Sequence, residues 1–84
     1  MTELEKYRKE IERIDKDLAK LINERMNISL KIGEFKKTNG ISVFDPKREE
    51  ELKNINVAKV EKRFQKAYSE IFDVILKVSK DAQL

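Results

Sequence analysis

An apolar seam that runs almost unbroken through the first half of the chain limits what this sequence can fold into. Leu4, Tyr7, Ile11, Ile14, Leu18, Leu21, Arg25, Ile28, Ile32 and Phe35 follow one another at alternating spacings of three and four. That is the a/d rhythm of a helix that buries one narrow stripe against another helix. No proline interrupts the segment, and Gly33 lies off the seam. Asn39-Gly40 is a natural helix terminator, and Lys36 and Lys37 in the preceding turn suit the negative end of the helix dipole. The spacing predicts helix 1 over about 3–38.

Such a helix is ~54 Å long at 1.5 Å per residue. A compact globule of 84 residues would have a radius of gyration of only ~12 Å and a diameter of roughly 30 Å. The helix outruns any monomeric globule that the remaining chain could build around it, yet its stripe continues to both ends. The simplest cover is a second copy with the long helices shared across a two-fold axis.

The remainder also reads as helix. Gly40 and Pro46 bracket an extended link, Ile41-Ser42-Val43-Phe44. Asp45 is the expected N-cap of helix 2 over about 46–56, with Pro46 at its first position and Glu49, Glu50 and Glu51 in its early turns. Asn54 and Asn56 weaken it near residue 57, and helix 3 is expected over about 59–82. Val60, Phe64, Ala67, Ile71, Ile75, Val78 and Ala82 form one stripe there, with Tyr68, Phe72, Leu76 and Ser79 beside it. The fold class is therefore all-α: one domain over 1–84, with one long, one short and one medium helix per chain.

Composition narrows the chemistry. The chain has no Cys and no His, which excludes disulfide frameworks, zinc fingers, haem ligation and iron–sulfur clusters. Ser–His–Asp and Cys–His nucleophilic catalysis go with them. An enzyme built on this chain must work with carboxylates, lysines, fixed charges and hydrogen bonds. The net charge of +3 comes from interspersed signs, so no basic face marks a nucleic-acid binder. No apolar run reaches the ~18 residues of a membrane span. Nothing after Met1 resembles a signal peptide, so a cytoplasmic home is the default expectation.

The anomaly in the seam is Arg25. A cation in a position made for Leu or Ile costs several kcal/mol unless it meets an anion. It is either a registry residue paired to a Glu or part of a ligand site. Ser29 lies one turn on along the same side, and Lys36 three turns on. Arg8, Asp15, Ile22, Ser29 and Lys36 share one heptad position flanking the seam. Arg25 and Lys36 are ~16 Å apart along the axis, a gap that two long side chains can close around a small ligand. Arg8 and Arg25 are ~26 Å apart, too far for a shared site within one chain. Antiparallel pairing of two such helices, centred near residues 16–17, would set Arg8 of one copy opposite Arg25 of the other. Taken singly, Arg8 reads as a solvated charge, Arg48 and Glu49 as an ordinary first-turn pair, and Ser79 and Gln83 as surface polars one turn apart.

Together, these residues resemble a known family. The run Arg8-Lys9-Glu10-Ile11-Glu12-Arg13-Ile14-Asp15, then Glu24-Arg25-Met26, Gly33-Glu34-Phe35-Lys36, Asp45-Pro46-Lys47-Arg48-Glu49, and finally Ser79 and Gln83, is similar to that of the all-helical chorismate mutases. The resemblance covers nearly the whole chain, with its elements in order. It implies an intertwined six-helix homodimer with two active sites and no cofactor or metal. Residue by residue, it implies that Arg25 and Arg8 of the partner chain hold the two carboxylates of chorismate. Lys36 would reach a carboxylate and the ether oxygen, and Gln83 would donate to that oxygen. Glu49 and the backbone of Asp45 would meet the ring hydroxyl, while Arg48 and Ser79 support the carboxylate end. The catalytic set is then Lys36, Gln83, Arg25 and Glu49.

The implied reaction, a [3,3] rearrangement of chorismate to prephenate on the way to Phe and Tyr, agrees with a chain that lacks His and Cys. The stretch around Asn54–Lys59 looks shorter than in many family members, and Gln83 sits on a terminal turn of the kind that frays. Other readings stay open. One is an isochorismate pyruvate-lyase on the same fold, against which Glu49 beside Arg48 speaks. Another is a helical dimerisation or nucleic-acid-binding module without turnover. A third is a mutase domain cut from a longer enzyme.

Overall fold

The computed structural model describes residues 1–84. Helix α1 spans Glu3–Thr38, α2 spans Pro46–Val57 and α3 spans Gln65–Gln83, with a short 3-10 turn at Lys62–Phe64 and no strand. Thr2 caps α1 by accepting from the Glu5 N–H at 3.2 Å. At the other end, the Ile41 N–H reaches back to the Lys36 carbonyl at 2.8 Å, and Gly40 takes φ 63°. This is the Schellman closure, which needs a left-handed residue just past the helix. It pins the turn that carries Lys36 and sends the link toward α2.

Helix α3 packs on α1, and α2 packs on α3 but not on α1. The order of cross-contacts gives the directions. Ser29 meets Ser79 and Gly33 meets Gln83, so α3 runs parallel to the C-terminal half of α1. Lys53 pairs with Asp73 at 2.8 Å and Glu49 with Lys80 at 3.5 Å, so α2 and α3 are antiparallel. Because α3 holds α1 and α2 on different sides, a gap is left between those two helices.

Helix α3 starts later than its apolar spacing predicts. Val60 and Phe64 stand four apart, as in a helix, but Glu61 between them is extended at ψ 139°. The Gln65 side chain donates to the Val60 carbonyl at 3.1 Å, closing the corner that reverses the chain. The chain needs these residues to turn between antiparallel helices, so the segment expected to open helix 3 becomes the bend instead. The stripe that docks on α1 also differs from the longest apolar one. Phe72 and Ser79 are buried, whereas Ile71 and Val78 of that stripe remain 55% and 39% exposed.

Phe72, 5% exposed, is the one large apolar side chain that the single chain buries. Every residue from Met1 to Glu24 is exposed. The seam residues Leu4, Tyr7, Ile11, Ile14, Leu18 and Leu21 lie open at 46–60%. The chain measures 56 × 25 × 15 Å with a radius of gyration of 16.2 Å, well above the ~12 Å of a compact globule. No helix is long and apolar enough to cross a membrane.

Candidate active site

The gap between α1 and α2 is a cavity of about 520 Å³, within the ~300–1,000 Å³ of small-molecule sites. Helix α1 contributes Arg25, Ile28, Ser29, Ile32 and Lys36 from consecutive turns of one face. The start of α2 contributes Asp45, Arg48 and Leu52, and α3 contributes Ser79 and Gln83. Three cations and one carboxylate therefore face a common space, a field that favours an anion.

Local structure explains each placement. Arg25 rests on the floor of the site, its guanidinium carbon 6.0 Å from the centroid of the Phe72 ring, within cation–π range. It has no carboxylate partner, so the registry ion pair that its seam position allowed is not formed within the chain. Asp45 caps α2, its Oδ1 accepting from the Arg48 N–H at 3.1 Å. That bond fixes the first turn of α2, from which Arg48 lines the cavity with its guanidinium 3.7 Å from the Glu51 carboxylate. Ser29 and Ser79 share a buried hydrogen bond of 2.6 Å. The pair has two hydroxyl protons, and the shared bond uses one of them.

Gln83 closes one end of the site. Its Oε1 is buried and has no hydrogen-bond partner. A buried unpaired amide oxygen costs ~1–3 kcal/mol, so the Gln83 side chain is held there by packing and not by a bond of that oxygen.

Two of the residues singled out in the sequence are not gathered here. Glu49 turns away from the cavity. It lines a neighbouring groove between α2 and α3, of about 290 Å³, and pairs with Lys80 at 3.5 Å. Lys80 also lies 5.8 Å from the Phe44 ring centroid, so it is held between the link and α2, where Glu49 can reach it. Arg8 stands on the exposed N-terminal part of α1, outside its own chain's cavity. Conversely, Ser79 is 7% exposed rather than a surface polar. Ile28, Ile32 and Leu52 form apolar walls that sequence reading did not assign to the site. Their signal was positional: Ile28 and Ile32 follow Arg25 by three and seven residues, and Leu52 follows Arg48 by four.

Comparison with known proteins gives this arrangement a context. A bifunctional chorismate mutase/prephenate dehydratase from Aquifex aeolicus is 42% identical over 52 residues, covering 62% of this chain and 14% of that protein. The chain thus matches a small part of a much longer enzyme. A solved structure of a conserved hypothetical protein from Pyrococcus furiosus is 38% identical. It superposes with a TM-score of 0.82 over 100% of this chain and 99% of the other. The family model for type II chorismate mutases matches residues 7–84, which include α2, α3, all but the first turn of α1 and every cavity-lining side chain. The family match spans well over half of the chain, and this chain therefore belongs to the type II chorismate mutase family.

Proposed function

We propose that this chain is a chorismate mutase, converting chorismate to prephenate in the cytoplasmic synthesis of Phe and Tyr. The observation that carries the reading is the cavity's composition. Arg25, Arg48 and Lys36 supply positive charge, Ser79 and Gln83 supply neutral polar groups, and apolar walls lie between them. A dianion with an apolar ring fits that lining.

The rearrangement breaks one C–O bond and forms one C–C bond within a single molecule, with no net proton transfer. Catalysis then consists of holding the folded conformer and stabilising charge as it develops on the ether oxygen. Arg25 and Arg48 bind carboxylates. Lys36 presents an ammonium toward the ether oxygen. The Gln83 amide would set a second donor there through Nε2. One such preorganised donor contributes about 10²–10³ in rate. Glu49 would meet the ring hydroxyl only after leaving Lys80, so ligand binding would exchange that ion pair for a substrate contact.

The site is completed by a second copy of the chain. Support comes from the uncovered seam over residues 4–21 and from the single buried apolar side chain, which together leave the chain without a core of its own. Antiparallel pairing of two α1 helices would cover both seams and bring Arg8 of one copy to the cavity of the other. Light scattering should give twice the 9.9 kDa chain mass, and a monomer at assay concentration would leave Arg8 without a route to the site.

The test of the activity is consumption of chorismate by the purified protein, with isochorismate in a parallel reaction. Loss of chorismate with formation of prephenate supports the reading. Turnover of isochorismate alone would make it a pyruvate-lyase, and turnover of neither would leave a binding module. Because no step moves a proton and the chain has no His or Cys to titrate near neutrality, kcat should stay level from about pH 6 to 8. A bell-shaped profile centred in that range would contradict the mechanism.

A further inference from the structure

Gly33 stands where α1 and α3 come closest. A Cβ placed there would lie 2.7 Å from both the Cα and the carbonyl oxygen of Gln83, and 3.0 Å from its carbonyl carbon. Those atoms are backbone and cannot swing aside as a side-chain tip can. Gly33 is not needed for its own conformation: it lies inside α1, and Gly40 is the residue with positive φ. A glycine inside a helix weakens it relative to alanine. What the glycine provides is room, and the residue that occupies that room is Gln83.

We propose that Gly33 is a positioning residue for the reaction. Its missing side chain lets the last turn of α3 settle against α1, and this seating aims the Gln83 amide into the cavity. This rests on the chorismate mutase reading. The geometry adds to that reading the reason why the amide stands where it does. The Gln83 Oε1 is buried without a partner, so packing holds the amide in place and no hydrogen bond of that oxygen does so. Packing that depends on one absent methyl group is sensitive to adding it. Close backbone approach to Gly33 seats the last turn of α3 against α1.

The test is a double-mutant cycle on the full chain with Gly33→Ala and Gln83→Ala. Circular dichroism and light scattering check that each variant keeps its helices and its mass. Gln83→Ala should lower kcat by about 10²-fold, with a smaller change in KM, because the lost donor acts mainly in the transition state. Gly33→Ala should approach the same loss and the same split. The double variant should be no slower than Gln83→Ala alone, since a displaced amide and a missing amide are equivalent. Full activity in Gly33→Ala, losses that multiply in the double variant, or loss of helical signal in Gly33→Ala would each overturn the proposal, the last by making Gly33 part of the scaffold. A second readout does not use turnover. The Gln83 side-chain amide resonances in a ¹⁵N–¹H spectrum should move in Gly33→Ala while those of Asn54 and Asn56 stay in place. If the wild-type chain leaves chorismate untouched, the functional reading fails while this displacement can still be seen. If it turns chorismate over and the amide does not move, the role of Gly33 fails alone.

Discussion

Arg25→Leu is expected to drive chorismate turnover to the floor of the assay while leaving the melting temperature level or higher. The two halves of this expectation have different physical origins. Arg25 occupies a seam position, lies against Phe72 at 6.0 Å and has no carboxylate partner in the chain. In the empty protein its half-buried charge faces the Phe72 ring but no carboxylate, and that costs stability. Leucine restores the apolar series. It forfeits a cation–π contact of about 0.5–2 kcal/mol but removes the desolvation penalty of the charge. With substrate present the balance reverses, because a bound carboxylate loses its cation. Truncating one side of such a pair costs ~2–5 kcal/mol, or roughly 30- to 5,000-fold in kcat/KM. A thermal melt and a kinetic assay on the same preparation decide the matter. A fall of many degrees, at ~4–8 °C per kcal/mol for a domain of this size, would instead assign Arg25 to a structural ion pair with a partner chain.

Co-expression of two inactive variants should restore activity. If Arg8 reaches the cavity of the other copy, Arg8→Ala and Arg25→Leu each disable both sites of their own homodimers. In a mixed dimer, one site collects both defects and the other receives an intact Arg25 from one chain and an intact Arg8 from the other. Random assembly makes half of the dimers mixed, each with one working site of two, so about a quarter of wild-type activity should return. If Arg8 acts within its own chain, or only as a solvated surface charge, no such recovery occurs. The length of α1 supplies the reason for the expectation. Arg8 and Arg25 are ~26 Å apart on a single helix, and every residue from Met1 to Glu24 is exposed in the single chain.

Much of this site was legible before any coordinates, because its main line follows one helix. A regular helix converts spacing into direction. Arg25, Ser29 and Lys36 could thus be placed on neighbouring faces, and they line the cavity together. Asp45 and Pro46 were equally readable as a helix start, since capping is decided by a few adjacent residues. The features that the sequence left undecided depend on neighbours distant in the chain. The α3 start slipped to Gln65 because reversal against α2 uses the residues around Glu61. Ser79 looked solvated until Ser29, fifty residues earlier, became its partner. Glu49 carried no mark of its direction, because whether it faces the cavity or Lys80 depends on how α2 lies across α3.

The sequence by itself determined the all-helical class, the long uncovered seam and the cation within it. Those follow from periodicity, capping and the cost of charge in an apolar stripe, all of which act over a few turns of chain. Only the tertiary structure decided which face of α3 docks, where Glu49 turns and why position 33 has no side chain. Those depend on distances between helices, and the amino-acid order carries no measure of them until the helices pack.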